Sequence, residues 1–68
     1  MTYTVSIYSS GSPVRNISIS ASDKKSAALL GLTQGGNGIT RVSVVSIADP
    51  EDEQLWSGAR LSILRALL

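Results

Sequence analysis

The sequence predicts an α+β fold, β-β-α-β-α, with a three-stranded sheet in the order 2-1-3 packed with two helices in a single small domain, 1–68. Three observations predict it. Two segments near the start alternate apolar and polar residues with a period of two, as half-buried strands do. A β-branched run, ITRVSVVSIA at 39–48, supplies a third strand. Stretches of helical composition, KKSAALLGL and the C-terminal LWSGARLSILRALL, follow the second and third strands.

In the first strand, YTVSIY at 3–8, Tyr3, Val5 and Ile7 point one way and Thr4, Ser6 and Tyr8 the other. In the second, VRNISIS at 14–20, Ile17 and Ile19 oppose Asn16, Ser18 and Ser20. The turn formers Ser9-Ser10-Gly11-Ser12-Pro13 join them as a hairpin. Setting Val5 opposite Ile17 also sets Tyr3 opposite Ile19 and Ile7 opposite Arg15. That one register sorts the apolar residues onto one face, which is how a register is specified.

Ser22-Asp23 offers an N-cap to the first helix, whose stripe is Ala28, Leu29 and Leu32. Gly31 inside it either costs about 1 kcal/mol relative to Ala or marks a close approach to the sheet. The run QGGNG, 34–38, ends the helix through a left-handed cap. In the third strand the alternation fails: Val45 and Ile47 lie on one face, Val42 and Val44 on the other. That requires a bulge or cover on both faces. Asp49-Pro50 predicts the start of the second helix, with Pro at its first position and Glu51-Asp52-Glu53 in its first turn. A right-handed crossover from strand 2 places strand 3 beside strand 1, with the first helix on the Val5/Ile17 face.

Size and composition narrow the function classes. A chain this short buries only about 60% of its unfolded surface, near the lower limit for folding alone. Disulfides, a metal or a partner subunit are the usual supports, and Cys and His are both absent. A net charge of +1 argues against binding polyanions through bulk charge. The opening MTYTVSIYSS carries neither a basic leader nor a continuous apolar run, and no stretch reaches 18 apolar residues, so a cytoplasmic location without a membrane span is expected. Asn16-Ile17-Ser18 matches a glycosylation acceptor, which means nothing without secretion.

Candidate sites are few. A phosphate loop needs its glycines to lead into a helix N-terminus, whereas QGGNG follows a helix and precedes a strand. A GxxG backbone clamp built on Gly35 and Gly38 would need helices on both sides. The acids Asp49, Glu51, Asp52 and Glu53 lack calcium-loop spacing and have no His, Cys or nucleophile to complete a constellation. Arg15, Lys24, Lys25 and Arg41 are the candidate nucleic-acid contacts, with Tyr8 as a stacking ring. Lys24 and Lys25 open a helix, where positive charge opposes the dipole.

The C-terminal segment carries the strongest signal. At about 100° per residue, Leu55, Trp56, Ala59, Ile63, Ala66 and Leu67 form the expected core stripe. Leu61, Leu64 and Leu68 fall on the other side as a second apolar stripe, and a helix apolar all round is normally buried. The expected use of that stripe is a protein interface, in a homodimer or against another protein. The expected function is therefore a small non-enzymatic protein-interaction module of regulator or inhibitor type, such as a virus encodes, with no cofactor. The alternative is a small nucleic-acid-binding domain using Arg15, Lys24, Lys25 and Arg41.

Overall fold

A computed structural model describes residues 1–36 and 38–68; Asn37, inside the predicted glycine-rich cap, lies outside them. The chain forms β1 (Thr2–Ser9), β2 (Arg15–Ser20), α1 (Lys24–Gly35), β3 (Ile39–Ser46), β4 (Glu53–Ser57) and α2 (Gly58–Arg65). The sheet is four-stranded and antiparallel, in the order β2-β1-β3-β4. The predicted three-stranded sheet is thus corrected by a fourth strand.

The β1–β2 hairpin pairs Val5 with Ile17, Tyr3 with Ile19 and Ile7 with Arg15. Tyr3, Val5, Ile7 and Ile19 are buried on the face that the alternation assigned to the core. On the opposite face the Ser6 hydroxyl donates to Asn16 Oδ1 at 2.7 Å. Both helices lie on the core face, where α1 packs over β1, β2 and β3 and α2 over β3 and β4. The layers are two, and the other sheet face is uncovered.

Helix α1 starts where Asp23 accepts the Ser26 N–H at 2.7 Å, the capping geometry its sequence predicts. Its sheet-facing side is made of small residues, Ala27, Ala28 and Gly31, with Leu32. A Cβ on Gly31 would stand 2.7 Å from Val5 Cγ1, so this glycine marks the close approach. Gly36 then ends the helix at φ 79°, ψ −148°, a combination essentially confined to glycine.

The broken alternation of β3 has a local cause. Tyr8 pairs with Arg41 but Ser9 pairs with Ile39, so Thr40 is an extra residue. This bulge lets Ile39 and Val42, three apart, both point into the core. Beyond it Val42 and Val44 face the helices, while Val45 shares the open face with Arg41 and Ser43.

The second helix is shorter than predicted. Pro at the second position after Asp serves a β-turn as well as a helix start, and here Asp52 N–H donates to Asp49 O at 3.2 Å. The chain then reverses, and Glu53–Ser57 pairs along β3, Val42 with Trp56 and Val44 with Gln54. The pairing covers a β3 edge that would otherwise stay open. Gly58 follows at φ 53°, and only after it does the chain turn helical. A helix beginning at Pro50 would have carried that glycine internally. The acids predicted to open the helix do other work. Asp52 pairs with Lys24 at 2.5 Å, and Glu53 accepts from the Ser43 hydroxyl at 2.6 Å.

Candidate functional site

Shortening the helix to Gly58–Arg65 changes which residues decide its orientation. With Leu55 and Trp56 on a strand, the helix is anchored by Leu61 and Leu64, three apart, which are 5% and 2% exposed. The predicted interface residues Leu61 and Leu64 are therefore core, packed with Trp56, Val42 and Val44 in one cluster. Ile63 and Leu67, predicted to be core, are instead 68% and 53% exposed. Leu68, the third predicted interface residue, lies beyond the helix and is 63% exposed. Leu61 and Leu64 thus exchange roles with Ile63 and Leu67, while Trp56 is buried and Leu68 exposed as the sequence predicts.

At its C-terminal end α2 is tied down by Arg65, whose guanidinium donates to Ile39 O at 2.6 Å. Continuing turns donate Leu67 N–H to Leu64 O and Leu68 N–H to Arg65 O, at 3.1 and 3.0 Å. Leu68 borders a hollow of about 220 Å³ with Leu32 and Ile39.

Ile63 and Leu67 border a larger cleft, about 260 Å³, between α1, β4 and α2. Buried Trp56 and Leu64 line its depth, and Gln54 lines it from β4. The exposed cations Lys25, from α1, and Arg60, from α2, also line it. No carboxylate lines it. The volume lies near the lower end of the roughly 300–1,000 Å³ of small-molecule sites, and the cleft is open to solvent. Sequence reasoning missed Arg60, Ile63 and Leu67 as surface-forming residues and missed that Trp56, expected in the core, lines a cleft. The available signal was QLWSG, an alternating segment closed by glycine.

The four candidate nucleic-acid contacts are not brought together. Arg15 and Arg41 pair with Ile7 and Tyr8 at one end of the sheet, on opposite faces. Lys24 and Lys25 stand near the other end, where Ser20 meets Thr2, five residues or roughly 17 Å away along the strand. Arg41 stacks 4.0 Å from the centroid of the Tyr8 ring, so that ring face is occupied. Lys24, unfavourable against the helix dipole, is answered by Asp52.

Asp23 is held below its ordinary pKa, first by the Ser26 backbone N–H, then by the Ser26 side chain, with the nearby Lys25 charge adding to the effect. That is a capping carboxylate. Among the described residues no group of three His, Cys, Asp or Glu is placed to hold a metal ion, and no buried polar side-chain atom lacks a partner. No described helix is long and apolar enough to cross a membrane. The chain matches no protein-family model, and no curated protein or solved structure matches it either.

Proposed function

We propose that this chain is a small non-enzymatic protein-interaction module, of regulator or inhibitor type, that docks another protein against the outward face of α2. The observation that carries the reading is the exposure of Ile63 and Leu67 beside a cleft with Trp56 in its depth. Isolated apolar residues on a surface are ordinary. Ile63 and Leu67, four residues apart, both border the cleft, so an apolar group seated over Trp56 would cover them together.

The test is site-specific photocrosslinking in the cells that make the protein. A benzophenone side chain at position 67 is compared with one at position 18, on the open sheet face. A discrete adduct with another protein from position 67, missing from position 18, is the expected result. Adducts only between copies of this chain, or none from position 67, overturn it.

A further inference from the structure

The composition of the cleft says more about its occupant. Its depth is apolar, from Trp56 and Leu64, while Lys25 and Arg60 bring positive charge and no acid accompanies them. Among the described residues the one ion pair is Lys24–Asp52, so neither Lys25 nor Arg60 is paired with a carboxylate. The nearest claim on Lys25 is Asp23, whose Oδ1 is engaged by the Ser26 N–H at 2.7 Å.

Resting on the docking reading above, we propose that the cleft receives a bulky apolar side chain from a partner segment that carries carboxylates on either side of it. The apolar group fills the space above Trp56, between Ile63 and Leu67. The flanking carboxylates meet Lys25 on α1 and Arg60 on α2. Electrostatic complementarity of this kind sets specificity and encounter rate more than raw affinity.

A second copy of this chain fits less well. A two-fold contact presents the same patch from both subunits, which brings Lys25 and Arg60 of both copies to one interface while no carboxylate lines the cleft.

Trp56 is the only tryptophan of the chain, so its fluorescence reports the cleft directly. The probes are two tryptophan-free peptides of roughly twelve residues. One has two leucines flanked by glutamates, and the other has lysines in place of the glutamates. The glutamate peptide should shift Trp56 emission saturably and bind about tenfold more tightly than the lysine peptide, a margin that added salt reduces. In a Lys25→Glu/Arg60→Glu variant, both exposed positions, the preference should reverse. Equal response to the two peptides, or no response to either, overturns the acidic–apolar occupant. If position 67 still crosslinks a partner in that case, the docking reading survives and only the chemistry of the occupant is wrong.

Discussion

Replacing Leu64 and Ile63 separately by alanine sets two adjacent residues of one helix against each other. Leu64 is 2% exposed and belongs to the cluster with Val42, Val44 and Trp56. Truncating a buried leucine costs about 2–5 kcal/mol, the lost transfer energy plus the cavity it leaves. A chain of this length has only about 3–10 kcal/mol to lose. At about 4–8 °C per kcal/mol for a domain of this size, Leu64→Ala lowers Tm by roughly 10 °C or more and leaves part of the population unfolded. Ile63 is 68% exposed, and a surface change of that kind stays within about 0.5 kcal/mol. Thermal unfolding followed by circular dichroism, with urea titration to check that the slope is unchanged, measures both. If Ile63→Ala destabilises as much as Leu64→Ala, α2 is rolled onto its other face and the assignment of core and surface is refuted.

Gly31→Ala gains about 1 kcal/mol of helix propensity, but its Cβ would stand 2.7 Å from Val5 Cγ1. Overpacking of about 1–3 kcal/mol outweighs the gain, so the variant should melt lower. In a Val5→Ala background the same change should be neutral or stabilising, and additive losses would contradict the close approach. Asp23 titrates below its unfolded value because its charged form caps α1. Its contribution is therefore complete above the unfolded carboxylate pKa and is lost as pH falls through the lowered one. Asp23→Asn keeps the cap without the titration, so its stability should lose this part of the acid dependence. An identical acid limb in both proteins would refute it.

The parts of this fold legible in the sequence are those where local pattern and tertiary environment agree. The β1–β2 register follows from alternation alone, since shifting it by one residue would turn Val5 and Ile17 to water. Gly31 was ambiguous between a propensity cost and a close contact, and only Val5 across the layer decides it. The C-terminal third departs from its sequence pattern for a physical reason. Asp49-Pro50 opens helices and β-turns alike, and the short apolar run that follows suits a strand or a buried helix. Counting Leu55 and Trp56 into the helical period rotated the apparent core toward Ile63 and Leu67. Once β4 removes those two residues, Leu61 and Leu64 decide the orientation. The cleft itself was not legible, because Lys25 and Trp56 come together only through the sheet.

The central claim is that the free protein turns Leu61 and Leu64 inward and presents Ile63 and Leu67 to solvent as a docking face. Methyl NMR with a soluble gadolinium chelate tests it in one experiment. The account predicts strong paramagnetic relaxation of the Ile63 and Leu67 methyls and protection of the Leu61 and Leu64 methyls. Protection of Ile63 and Leu67 in the isolated protein, or strong relaxation at Leu61 and Leu64, would contradict it.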